Sequence, residues 1–105
     1  MTEEKKQDLR QRLHRAQETL TEARTLKDSG LYIGTVNRLY YASFYAVSAL
    51  LETRGLTSSK HAGIIALLNQ HFVKTGIVTD EQGKFYRYLF DTRQLGDYND
   101  YPVID

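Results

Sequence analysis

The sequence predicts an all-α fold, an antiparallel four-helix bundle formed by a single domain over residues 1–105. Three observations carry this reading. Apolar residues recur at intervals of three and four over long stretches, strand-like alternation is missing, and the lone Pro102 and the glycines fall as punctuation around the periodic segments. A chain of 105 residues is enough for one core and too short for two.

The first helix is predicted over about residues 3–29. Leu9, Leu13, Ala16, Leu20, Ala23 and Leu26 make its inward stripe, the opposite face is charged, and Gly30 supplies the stop. The second is predicted over about 32–54, closed by Gly55. On it Val36, Tyr40, Ser43, Val47 and Leu50 form one stripe, and Ala42, Ala46 and Ala49 form a ridge of small residues that lets another helix approach closely. Asn37, Arg38, Tyr41 and Tyr45 share a flanking polar face.

A third helix is predicted over about 60–75, with Ser59 as N-cap and Ile64, Ile65, Leu68 and Phe72 facing inward until Gly76 ends it. Thr79-Asp80-Glu81-Gln82 reads as a capping box that opens a fourth helix over about 80–95. Along that helix Phe85, Leu89 and Thr92 lie on one line, and Tyr86, Phe90 and Arg93 lie on the next. Gly96 is predicted to break the helix, leaving a polar, turn-rich tail from Asp97 to Pro102.

Lysine and arginine number 14 against 13 aspartates and glutamates, so no global positive field draws nucleic acid; any RNA contact must be local or built from two subunits. Cysteine is absent, which excludes disulfides, a thiol nucleophile and the usual structural zinc sites. The opening Met1-Thr2-Glu3-Glu4-Lys5-Lys6 has no apolar stretch behind it, so no secretory signal or membrane span is predicted, and the expected location is cytoplasmic. His61 and His71 are not at metal-ligand spacing, and the sequence implies neither a metal nor another cofactor.

The most informative segment is Asn37-Arg38-Leu39-Tyr40-Tyr41-Ala42, which sets a polar pair and two tyrosines inside an otherwise apolar helix. A planar Arg38 fork suits bidentate phosphate recognition, and Asn37 can orient a base or ribose. The competing reading is an interhelical salt bridge from Arg38 to Asp97 or Asp91, because a buried cation is costly without a partner. Tyr40, Tyr41 and Tyr45 can stack bases or serve as core or dimer contacts. His61, in the first turn of the third helix beside Lys60, sits where a helix dipole favours anions and lowers the imidazole pKa.

Three motifs in order, Asn37-Arg38-x-Tyr40-Tyr41-Ala42, Ser59-Lys60-His61-Ala62-Gly63 and Arg93-x-x-Gly96-Asp97-Tyr98, resemble the small stand-alone prokaryotic branch of the HEPN superfamily, the higher eukaryote and prokaryote nucleotide-binding domains. The resemblance implies a helical bundle of four or five helices, often dimeric, here without a fifth C-terminal helix. It also implies nucleotide or RNA binding, in some members metal-independent ribonuclease activity, and pairing with a minimal nucleotidyltransferase in toxin–antitoxin systems.

In ribonuclease members an Arg at the end of this helix is followed about a turn later by a His. Here Asp97 and Tyr98 take that region. An ionised Asp repels phosphate, and a Tyr with an ordinary pKa of ~10 is a poor base at neutral pH. The alternative for Arg93 is a pair with Asp97 across the helix end. His61 is the remaining candidate proton carrier, on condition that the start of the third helix folds over Arg93. The expectation is therefore a nucleotide- or RNA-binding site made of Asn37, Arg38, Tyr41, His61, Arg93 and Tyr98. Arg93, His61 and Asp97 are the candidates for any catalysis, and intrinsic ribonuclease activity is expected to be low. The alternative is a noncatalytic helical interaction module whose tyrosine-rich surface, including Tyr86 and Tyr88, meets a second copy or another protein.

Overall fold

The computed structural model describes the backbone of residues 1–98 and the side chains as far as Arg93. All of its regular structure is helical: α1 (Glu3–Asp28), α2 (Tyr32–Glu52), α3 (His61–Leu68), which runs on into a π-helical turn (Asn69–Val73), and α4 (Asp80–Tyr98). Each boundary has a local cause. Thr2 caps α1 by accepting from the Lys5 N–H at 3.1 Å, and Glu3 and Glu4 stand in the first turn, where the helix dipole favours acids. Gly30, at φ 75°, ends that helix as the Leu31 N–H turns back to the Leu26 carbonyl at 2.9 Å. Gly55, at φ 66°, closes α2 in the same way, with the Leu56 N–H on the Leu51 carbonyl at 3.0 Å.

The capping box of α4 forms in both directions: the Gln82 N–H donates to Thr79 Oγ1 at 3.1 Å, and the Thr79 N–H donates to Gln82 Oε1 at 3.0 Å. Two other boundaries differ from the sequence expectation. The N-cap of α3 is Lys60 rather than Ser59, and it is Ser58 Oγ that accepts from the Lys60 N–H, at 3.2 Å. Gly96 does not stop α4, which continues through Asp97 and Tyr98. A glycine costs only about 1 kcal/mol in a helix interior and is no obligatory terminator.

The antiparallel α1–α2 hairpin forms one side of the bundle, and α4 lies across α2, α3 and the π turn. The core sits between α2, α3 and α4, where Tyr40, Leu51, Leu68, Phe72 and Leu89 are the largest fully buried side chains. Burying each contributes about 1.5–3 kcal/mol, so these three elements supply most of the hydrophobic drive. The α1–α2 contact is made instead by small residues: Thr19 and Ala23 meet a surface of α2 that buries Thr35, Ala42 and Ala49. The two buried threonines on α1 and α2 satisfy their hydroxyls by donating to the carbonyls of Arg15 (2.7 Å) and Leu31 (2.9 Å).

One predicted inward residue, Leu13, points out at 51% exposed; Phe85 is 54% exposed, and the buried line of α4 runs through Tyr86, Leu89 and Thr92. Tyr86 therefore belongs to the core rather than to a surface patch, and among the described side chains of α4 the exposed aromatics are Phe85 and Tyr88. No helix among the described residues is long and apolar enough to cross a membrane.

Candidate functional site

The site is organised around Tyr40, which is fully buried although its neighbours Arg38, Leu39 and Tyr41 are partly exposed. Helical geometry explains this, because Tyr40 lies on the face of α2 turned to α3 and α4, and Tyr41 lies one place round. The Tyr86 ring from α4 stacks on Tyr40 with centroids 5.8 Å apart and planes at 9°. The Arg93 guanidinium, two turns further along α4, lies over the other aromatics: its carbon is 4.9 Å from the Tyr40 ring centroid, 5.7 Å from Tyr41 and 6.0 Å from Phe90.

His61 reaches the same cluster from the first residue of α3. Its Nδ1 is hydrogen-bonded to the Tyr40 hydroxyl, and its ring lies 5.1 Å from Phe44 and 6.0 Å from Phe90, centroid to centroid. The loop before it fixes the entry of α3. A Cβ on Gly63 would lie 2.1 Å from Ser58 Oγ, so any larger residue would push the Ser58 side chain off the helix start. The condition set by the sequence is thus met: the start of α3 packs against the end of α4.

Electrostatics follow from this packing. Burial lowers the His61 pKa, and the nearby Arg93 cation lowers it further, so the ring is neutral at rest. The direction agrees with the sequence expectation, with burial as the larger cause and Arg93 the smaller. Desolvation raises the pKa of the Tyr40 hydroxyl and, more strongly, that of Tyr86. Both keep their protons at neutral pH.

Arg38 also approaches Tyr41, its guanidinium carbon 5.4 Å from the ring centroid. Asn37 Oδ1 accepts from Arg38 Nη2 at 2.7 Å and from Nε at 3.1 Å, while Glu22 of α1 stands 3.6 Å from Nη1. The expected pairing of Arg38 with Asp91 is corrected, because Asp91 pairs with Arg87 one turn earlier, at 3.2 Å. Neither Arg38 nor Glu22 is buried, with side chains 34% and 58% exposed, so the pair is a surface contact rather than a buried interhelical lock.

Asn37, Arg38, Tyr41, His61 and Arg93 therefore come together around Tyr40 and Tyr41. The side chains of Asp97 and Tyr98 lie outside the described residues. Sequence reasoning placed Tyr86 among the surface aromatics and missed Glu22. The seven-residue spacing from Tyr86 to Arg93 puts them on one helical face and could have flagged the first; no sequence signal ties Glu22 to Arg38. A cleft of about 310 Å³ on the far side of Phe44, lined by Arg12, Tyr45, Glu52, Leu56 and Ser58 among others, includes none of the five. All five are partly exposed.

What this surface can do is bind an anion with an attached ring. Two planar cations lie near the partly exposed Tyr41 ring, and a neutral imidazole lies within the same cluster.

Comparison with known proteins agrees with the motifs. The HEPN domain family profile matches residues 9–105. A UPF0332 protein of Thermotoga maritima is 50% identical over 86 residues, which cover 82% of this chain and 65% of that protein. A Methanocaldococcus jannaschii protein named as a candidate toxin is 31% identical over 94 residues, 90% of this chain and 64% of its own length. A UPF0332 protein of Gloeobacter violaceus is 39% identical over 89 residues, 82% of this chain and 68% of that protein. The chain thus spans just under two thirds of the length of the first two. With the family profile covering nearly all of it, and with the motif residues Arg38, Tyr40, His61 and Arg93 gathered at one place in a four-helix bundle, the chain belongs to the HEPN domain family.

Proposed function

We propose that this HEPN domain binds a phosphate-bearing ligand, a nucleotide or single-stranded RNA, and acts as the toxin-like member of a two-protein system with a nucleotidyltransferase partner. The observation that carries the binding reading is the approach of both Arg38 and Arg93 to the one Tyr41 ring, at 5.4 and 5.7 Å. Two forked cations around one aromatic ring match a phosphate joined to a base, one by charge-assisted hydrogen bonds and the other by stacking. Overall charge contributes little at +1, so the attraction is local. The toxin-like reading is supported by two Methanocaldococcus jannaschii relatives named as candidate toxins, 31% and 36% identical.

Fluorescence anisotropy with a short single-stranded RNA tests the binding. Arg93→Lys and Arg38→Met should each weaken it about tenfold or more, and Arg38→Met, which removes a cation, should also reduce the slope of log affinity against log salt by about one phosphate contact. Affinity unchanged in both variants overturns the reading. Growth arrest on expression in a bacterial host, relieved by a co-expressed nucleotidyltransferase, tests the pairing.

A second reading, a noncatalytic interaction module, is favoured by one feature. Phe85 and Tyr88 are 54% and 52% exposed and stack on each other at 6.4 Å on the outer face of α4. Light scattering that finds a dimer, lost in a Phe85→Glu/Tyr88→Glu variant, would assign this patch to a second copy.

A further inference from the structure

The Tyr40–His61 contact is unusual in its choice of partner. A carboxylate behind an imidazole accepts only, and it pulls the ring towards the cation. A hydroxyl can donate to a bare Nδ1 and can also accept from a protonated one, so the same contact serves a neutral and a cationic ring. The Tyr40 hydroxyl can use both roles only if its own proton has somewhere to go when it accepts. The Tyr86 hydroxyl supplies that place. It is buried, its ring is stacked on Tyr40, and the Tyr40 hydroxyl is the one hydroxyl among the described residues with which it interacts. The other imidazole nitrogen, Nε2, makes no hydrogen bond among the described residues.

We propose that Tyr86, Tyr40 and His61 form a line of hydroxyls and imidazole that lets His61 take up one proton when a phosphate group binds at Arg93, so that anion binding at this site is coupled to protonation. The proposal rests on reading the Arg93 face as a phosphate site. With the Tyr40 hydroxyl turned to Tyr86, Nδ1–H donates to Tyr40 and Nε2 is bare. One proton then passes from water to Nε2, and no covalent bond to the ligand forms or breaks.

The charges around the ring give the coupling its sign. Arg93 of α4 is the cation acting on His61; from α2 it meets Tyr40 and Phe44, from α4 also Phe90, and Lys60 precedes it in the chain. Without ligand, Arg93 opposes a second positive charge. A bound phosphate offsets that repulsion and favours the imidazolium, and by linkage the anion then binds more tightly at low pH.

The test uses sulfate, which stays dianionic across the range and so adds no titration of its own, with the intact protein and nitrogen-15 NMR of its histidine rings. The His61→Gln spectrum assigns the His61 signals, and His14 and His71 serve as internal references. Sulfate at saturation should raise the His61 titration midpoint by about one pH unit, leave the other two in place, and bind about tenfold more tightly below that midpoint than well above it. Tyr86→Phe should shrink the shift by removing the acceptor for the Tyr40 proton. Sulfate binding with an unmoved His61 midpoint overturns this proposal alone, and an undiminished shift in Tyr86→Phe overturns the part assigned to Tyr86. No sulfate binding, together with no RNA binding, overturns both this proposal and the phosphate-site reading.

Discussion

Tyr40 of α2 and His61 of α3 are hydrogen-bonded, hydroxyl to Nδ1, across 21 positions of sequence, and this contact ties the start of α3 to the core beneath Arg93. It makes one buried side chain both a structural and a chemical element of the site. Tyr40→Phe keeps the ring and its stacking on Tyr86 but leaves Nδ1 without its partner. We expect a loss of about 1 kcal/mol in urea unfolding, the usual net value of one such bond, whereas Tyr40→Ala should cost about 3–5 kcal/mol by opening a cavity.

The pH dependence of stability follows from the same cluster. The folded state holds His61 below its ordinary pKa, so near and below about pH 6.5 the unfolded chain binds more protons than the folded one. Stability should be full above that pH and fall as the pH drops through it. Tyr40 and Tyr86 are shifted the other way, so stability should fall again above about pH 10, where unfolded tyrosines ionise and the folded ones do not. Urea midpoints across pH check both limbs, and His61→Gln should flatten the acid limb only.

Arg38→Met separates packing from binding. Because its ion pair with Glu22 is at the surface, the stability change should stay within about 1 kcal/mol while RNA affinity falls. A variant that unfolds would show that Arg38 holds the bundle together.

Gly63→Ala should be destabilising by about 1–3 kcal/mol despite the better helix propensity of alanine, since its Cβ meets Ser58 Oγ at 2.1 Å and Ser58 Cβ at 3.0 Å. Ser58→Gly should relieve part of that cost, so a double-mutant cycle should show a favourable coupling of about 1 kcal/mol. Independent effects would mean that the Ser58 turn does not set the position of α3.

Ribonuclease activity of the purified protein should be weak or absent. Cleaving a diester needs a base at the attacking hydroxyl and an acid at the leaving oxygen, and the cluster offers one imidazole. The two buried tyrosines hold their protons too firmly to act as the second group. Robust cleavage of single-stranded RNA, abolished by both Arg93→Ala and His61→Ala, would reverse this expectation and make His61 a catalytic residue.

The sequence by itself determined what local chemistry can determine. The spacing of apolar residues set the four helices, Gly30 and Gly55 set two ends, and Thr79 with Gln82 set the start of α4 through a bond pattern only three residues long. The motif residues Arg38, Tyr40, His61 and Arg93 were also legible, because polar and aromatic side chains in apolar helices stand out against the period. Tertiary packing decided the rest. Periodicity fixes which residues share a face but leaves the rotation of the helix about its axis open, so Tyr86, expected among the surface aromatics, turned into the core. Among the described residues the ion-pair partner of Arg38 is Glu22 of another helix, and His61 meets Arg93 where Gly63 lets α3 begin against the Ser58 turn. Contacts between remote positions depend on how close two backbones can come, and that distance is set by the small residues and buried rings between them rather than by any signal along the chain.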